Sequence, residues 1–261
     1  GYRHMEMYYA VGGMGAVIHT INPRLHPEQI AWIVNHAGDT HLAFDLTFLP
    51  IIEAIAEHCP NVRSWIAMVD EDRQPASAKL ANLVNYERLL AGGSEAYRWP
   101  ELDERSAVGL CYTSGTTGNP KGAMYTHRST VLHAYGAALP DAMGASARDC
   151  ILPVVPMFHV NAWGLPYTCP LVGAKIVLPG AQLDGKSLYE LFESEEVKVH
   201  FLARMTVLGF PPDQFGQGWI CLFRILKAEA PICVGGSGSL ALGLRRAVEA
   251  HGGVVQTDAA V

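Results

Sequence analysis

From Ala16 to Leu202 short β-branched or apolar runs alternate with amphipathic stretches, and this alternation limits the fold more than any other feature. The runs Ala16–Thr20, His41–Phe44, Val62–Val69, Val108–Tyr112, Gly122–Tyr125, Ile151–Val155, Lys175–Leu178 and Val199–Leu202 predict strands. Pro27–Ala37 predicts a helix, with Pro27 at its first turn and Ile30, Ile33 and Val34 on one face. Further helices are expected over Phe48–His58, from the polar interruption Gln74–Leu80 to Leu90, over Ser129–Ala138 and around Leu188–Phe192; Gly92–Asp103 reads as a loop. Strands separated by helical segments bury both faces of their sheets. The expected class is therefore α/β, with parallel or mixed sheets flanked by helices. In such sheets ligands collect beyond the carboxyl ends of strands, which directs attention to the residues after Tyr112.

Composition removes several other classes. With 261 residues, 49% hydrophobic and 17% charged, and a mean hydropathy of +0.14, the chain buries a core and does not read as disordered. A net charge of -6 without a dense basic run argues against nucleic acid as a partner. The apolar runs stop far short of the roughly 18 residues that span a bilayer. No charged leader with a cleavage site opens the sequence, so the expected location is cytoplasmic. Cys59, Cys111, Cys150, Cys169, Cys221 and Cys233 show no CxxC spacing, and buried free thiols are expected rather than disulfides or zinc ligands.

The segment Tyr112-Thr-Ser-Gly-Thr-Thr-Gly-Asn-Pro-Lys-Gly122 carries the clearest chemistry. It places four hydroxyl side chains, three glycines and one lysine in a turn between two strands. Glycines let backbone approach a ligand closely, successive N–H groups form an anion-binding nest, and hydroxyls donate to phosphate oxygens. Lys121 adds a compact positive charge for a pyrophosphate group. The plain alternative is a solvated Ser/Thr/Gly turn. A Walker loop is excluded, because Gly122 and not Ser or Thr follows Lys121.

Residue for residue, this string resembles the phosphate loop of the adenylate-forming superfamily, which holds acyl-CoA synthetases, luciferases and nonribosomal-peptide adenylation domains. The resemblance implies that Thr113, Ser114, Gly115, Thr116, Thr117, Gly118 and Lys121 bind ATP, that Thr113 meets Mg²⁺ and that Lys121 acts in catalysis. Thr126, in Tyr125-Thr-His-Arg-Ser129, is placed to cap the following helix.

A second stretch, Val155-Pro-Met-Phe-His-Val-Asn-Ala-Trp-Gly164, resembles the second core motif of fatty-acyl-CoA synthetases, with His159 standing 47 residues after Tyr112. Taken alone, a histidine beside aromatics or a Trp among apolar residues reads as packing. The resemblance places His159 near the acyl carboxylate and in catalysis, with Val160, Asn161 and Trp163 along the acyl chain. Amino-acid-activating members carry an aspartate in this segment, and none is present here, which favours an uncharged acyl tail. More weakly, Gly235, Gly236 and Ser237 resemble the turn beside adenine, ahead of a helix over Leu240–Ala250, and Gln256 resembles the residue before a Tyr-Gly-x-Thr-Glu motif.

Two departures stand against the pattern. Arg204–Ala230, with two prolines and three glycines between Gly209 and Gly218, does not resemble the family and reads as a reading-frame disturbance or as divergence. Thr257-Asp-Ala-Ala-Val261 stands where Tyr-Gly-x-Thr-Glu is expected. Residues 1–261 are thus expected to be part of a large N-terminal AMP-binding domain, cut at both ends, with an atypical segment at 204–230 and no small C-terminal domain. The implied activity is ATP-dependent conversion of a fatty acid to an acyl-adenylate and then to a CoA thioester, with Mg²⁺ required and a homodimer allowed. The isolated chain is expected to be inactive. Two alternatives remain: a truncated, non-catalytic nucleotide- or acyl-binding fold, and an aryl-CoA or amino-acid-activating relative.

Overall fold

The computed structural model describes residues 1–77, 79–113, 119–140, 142–180, 184–195 and 197. The expected strand Val199–Leu202, the atypical segment 204–230, the turn at Gly235, the helix Leu240–Ala250 and Gln256 lie outside the described residues, as do Cys221 and Cys233.

Three small sheets organise what is described, with helices packed on them. The first has the order β1 (Ile18–Thr20), β5 (Ala107–Thr113), β6 (Lys121–Thr126); β1 runs parallel to β5, and β6 returns antiparallel. The second is parallel throughout, with β2 (His41–Phe44), β3 (Ser64–Ala67) and β4 (Leu83–Asn85). The third pairs β7 (Cys150–Ile151) in parallel with β8 (Lys175–Ile176). The expected α/β class with mixed sheets holds, for the expected reason: parallel neighbours need a crossover, and helices supply it.

The helix α2 (Pro27–Ala37) opens on Pro27 and stops at Gly38, whose φ of 73° only glycine adopts without strain. It turns Ile30 and Val34 onto Leu42, Phe44, Ile55 and Trp65. That cluster fills the space between the second sheet, α2 and α3 (Leu49–Ile55). Two expectations shift. The helix foreseen up to Leu90 divides into β4 and α4 (Tyr86–Ala91), because buried Asn85 ends the strand: its Oδ1 accepts from Arg88 N at 3.2 Å, while its Nδ2 donates to Val69 O at 3.3 Å. The strand foreseen over Ile151–Val155 shortens to Cys150–Ile151, since Pro153 and Pro156 donate no hydrogen bonds to a ladder. Cys59, Cys111, Cys150 and Cys169 are buried free thiols.

Candidate functional site

Strands β5 and β6 carry the ends of the hydroxyl-rich loop. Their register sets Thr113 opposite Lys121 and Tyr112 opposite Gly122, and Thr113 Oγ1 donates to the Lys121 carbonyl at 3.3 Å. Both Thr113 and Lys121 are exposed at this mouth. Ser114, Gly115, Thr116, Thr117 and Gly118 lie outside the described residues, as do Gly235, Gly236, Ser237 and Gln256. Downstream, Thr126 caps α5 (His127–Ala138) as expected: its hydroxyl accepts from Ser129 N at 3.1 Å, and Ser129 Oγ accepts from Thr126 N at 3.0 Å.

Behind the mouth, Tyr112 is held by residues that sequence reasoning did not single out. His36 Nδ1 lies 2.6 Å from the Tyr112 hydroxyl, and Trp32 stacks on His36 with ring centroids 4.5 Å apart. On the other side His19 lies 5.2 Å from the Tyr112 ring, its Nδ1 2.8 Å from Asp39 Oδ2. Burial first, and the Asp39 charge second, raise the Tyr112 phenol above its usual range. The signal available beforehand was the i, i+4 spacing of Trp32 and His36 on one helix face.

The segment Val155–Gly164 departs further from expectation. Val160, Asn161, Ala162 and Trp163 have φ between 49° and 57°, so four consecutive non-glycine residues form a left-handed turn that ends at Gly164 with φ 72°. Such a conformation costs roughly 1–2 kcal/mol per residue and persists only where surroundings impose it. The turn directs its residues differently. Asn161 and Ala162 are buried, Val160 is 40% exposed, and Trp163 packs partly buried against Ala145, Ile151, Val155, Leu165 and Cys169. His159 is exposed, its backbone N–H donating to Pro156 O at 2.9 Å.

Asn161 joins this segment to the first sheet. Its Oδ1 accepts from Thr20 Oγ1 at 2.9 Å, from Cys111 Sγ at 3.2 Å and from the Tyr8 hydroxyl at 3.3 Å. Tyr8 has one proton, shared with the Met157 carbonyl at 3.0 Å, so it brackets His159 from both sides. Gly109 makes room: a β-carbon there would stand 3.0 Å from Asn161 Nδ2. Cys111 lies two residues before Thr113, about 7 Å along the strand. Thus β5 touches the His159 segment on one side and runs into the loop at its end. Among the described residues, no group of three His, Cys, Asp or Glu side chains converges as a metal site.

The family model described as "AMP-binding enzyme" matches residues 1–208. The chain belongs to the AMP-binding enzyme family. Within that family it is 53% identical over 216 residues to a medium-chain-fatty-acid–CoA ligase from Ectopseudomonas oleovorans, covering 83% of this chain and 39% of that protein. It is 52% identical over 197 residues to a 3-methylmercaptopropionyl-CoA ligase from Ruegeria pomeroyi, covering 76% of this chain and 36% of that protein. The chain therefore spans less than two fifths of the length of these relatives. The fold is similar to that of a long-chain-fatty-acid-CoA ligase from Archaeoglobus fulgidus, with a TM-score of 0.63 at 23% identity over 76% of this chain and 37% of that one. This AMP-binding chain has no helix, among its described residues, long and apolar enough to cross a membrane.

Proposed function

We propose that the complete protein is an ATP-dependent fatty-acid–CoA ligase, of which this chain is part of the large N-terminal domain. The observation that carries the reading is the double use of β5, which seats the His159 segment through Cys111 and leads into the hydroxyl-rich loop at Thr113. A carboxylic acid is ionised at neutral pH, so no general base is needed in the first step. Its oxygen attacks the α-phosphorus of ATP and pyrophosphate departs; the CoA thiol, its proton released to solvent, then attacks the acyl carbonyl through sulfur and AMP departs. The chain's own contribution is alignment and charge neutralisation. Lys121 and the loop donors meet the β- and γ-phosphates, His159 faces the carboxylate, and Val160 and Trp163 border the acyl chain, while buried Asn161, expected along that chain, instead holds their turn from behind. Bound Mg²⁺ would add charge neutralisation on the phosphates, and the Thr113 hydroxyl, which donates to Lys121 O and keeps its lone pairs, would supply one oxygen toward it. A cytoplasmic homodimer belongs to the same reading.

The two curated relatives leave two acyl classes to compare, an alkyl chain and a short thioether acid, at nearly equal identity. The partly buried Trp163 beside an apolar cluster favours the alkyl chain. The test is acid-dependent ATP–pyrophosphate exchange by the complete protein. Fatty acids should drive it better than 3-methylmercaptopropionate, and Lys121→Ala and Trp163→Ala should each lower it, the first by about 100-fold as for a lost charge-stabilising donor. Unchanged exchange in both variants would refute the site; exchange with the thioether acid alone would refute the substrate class.

A further inference from the structure

Four left-handed residues in succession do not arise from local preference, and the groups that impose them are distant in sequence. Asn161 is the fixed point of the turn: it is 5% exposed, and its side-chain oxygen takes hydrogen bonds from Thr20 on β1, Tyr8 on α1 (Tyr2–Gly13) and Cys111 on β5. Thr20 makes the shortest of the three and is itself 5% exposed, so no water replaces it. Tyr9, next to Tyr8 on α1, donates to Pro166 O at 2.7 Å, beyond the other end of the turn. The aromatic rings of Tyr8 and Tyr9 both meet Tyr167, at 5.6 and 5.9 Å. The segment from Met157 to Tyr167 is therefore clamped from outside by one helix and two strands, and the parts left facing outward are His159 and Val160.

We propose that Thr20, with Tyr8, is a positioning residue for acyl recognition: acting through Asn161, it holds the left-handed turn and so sets the directions of His159 and Trp163. Neither residue touches the substrate. The selectivity for the acyl group thereby depends on β1 and α1, remote in sequence from the segment that meets it. This inference rests on the fatty-acid reading for its activity measurement, and it has a second measurement that does not.

Thr20→Val keeps the side-chain shape and removes the donor, leaving the Asn161 oxygen with its two longer partners. In the complete protein it should raise the KM for the acyl substrate about five- to tenfold, the size expected for one lost buried hydrogen bond, while the KM for ATP stays within about twofold. Thr20→Ser, which retains the hydroxyl, should restore the acyl KM. Equal changes in both KM values, or none in either, would overturn the proposal. Should Thr20→Val fail to fold, Asn161→Gly retains access to positive φ but loses the clamp, and the same acyl-specific rise is expected. Independently of activity, fluorine NMR on fluorotryptophan-labelled protein, with the Trp163 signal assigned by Trp163→Phe, should show that signal displaced in Thr20→Val and returned in Thr20→Ser. A Trp163 signal unmoved by Thr20→Val would overturn the clamp. Absence of any fatty-acid-dependent exchange in the unmodified protein would overturn only the functional reading, with the fluorine signal still deciding the clamp.

Discussion

The Tyr112 hydroxyl and His36 Nδ1 lie 2.6 Å apart across 76 residues, which fastens the start of the hydroxyl-rich loop to α2. Trp32 closes the arrangement, stacked on His36 and edge-on to Tyr112 at 6.3 Å. Tyr112→Phe retains the ring contacts with His19, Trp32 and His36 and removes only the hydrogen bond, a loss of about 1 kcal/mol. Under the ligase reading the KM for ATP should rise a few-fold and the KM for the acid should not, measured by pyrophosphate exchange at varied ATP. An acid-specific change would break the link between Tyr112 and the nucleotide.

Gly109 is a test of packing between β5 and the left-handed turn. A β-carbon there stands 3.0 Å from Asn161 Nδ2, with the Tyr125 ring in ordinary contact at 3.9 Å, so alanine forces the carboxamide to give way slightly. Gly109→Ala should destabilise by about 1–3 kcal/mol in urea unfolding. Combined with Asn161→Ala, whose shorter side chain vacates the space, the loss should be less than the sum of the two single losses. Strict additivity would mean that the two sites do not meet.

Thr126→Ala removes the hydroxyl that accepts from Ser129 N and should cost about 1 kcal/mol, seen as a lower urea midpoint at unchanged slope. Thr126→Asp, which keeps an acceptor at the cap and favours the helix N-terminus, should lose little.

Burial pushes the Cys169 thiol up to about 12, and burial with the Asp39 charge pushes Cys59 up to about 11, from a usual value of 9.0. A thiol whose pKa is higher folded than unfolded stabilises fully below the unfolded value, and that contribution is lost as pH rises through the folded value. Urea midpoints should therefore fall as pH rises above about 9, and Cys169→Ala should flatten the fall. Both thiols should resist iodoacetamide at neutral pH until urea unfolds the chain; rapid labelling of the native protein would contradict their burial.

Much of this architecture was legible along the chain. Helix α2 follows its sequence limits at both ends, because Pro27 and Gly38 are local signals with local effects. The Thr126 cap is legible for the same reason: cap and recipient are three residues apart. The division at Asn85 was not, since Leu83 and Val84 suit a helix face as well as a strand, and pairing with β3 decided between them. Trp32 and His36 went unremarked because their partner Tyr112 lies on another element far along the chain.

By itself the sequence determined the alternation of strands and helices, the hydroxyl-rich loop between β5 and β6, and membership of the AMP-binding family, all of which rest on neighbouring residues and their spacing. Tertiary structure alone decided the hand of the turn at Val160–Trp163 and the roles of Tyr8 and Thr20. A left-handed turn opposes the preference of Val160, Ala162 and Trp163, and the tolerance of Asn161 extends to a single residue, so nothing local announces a run of four. Hydrogen bonds spanning 141 and 153 residues hold Asn161 within it, at a buried position where an unpaired oxygen would be costly.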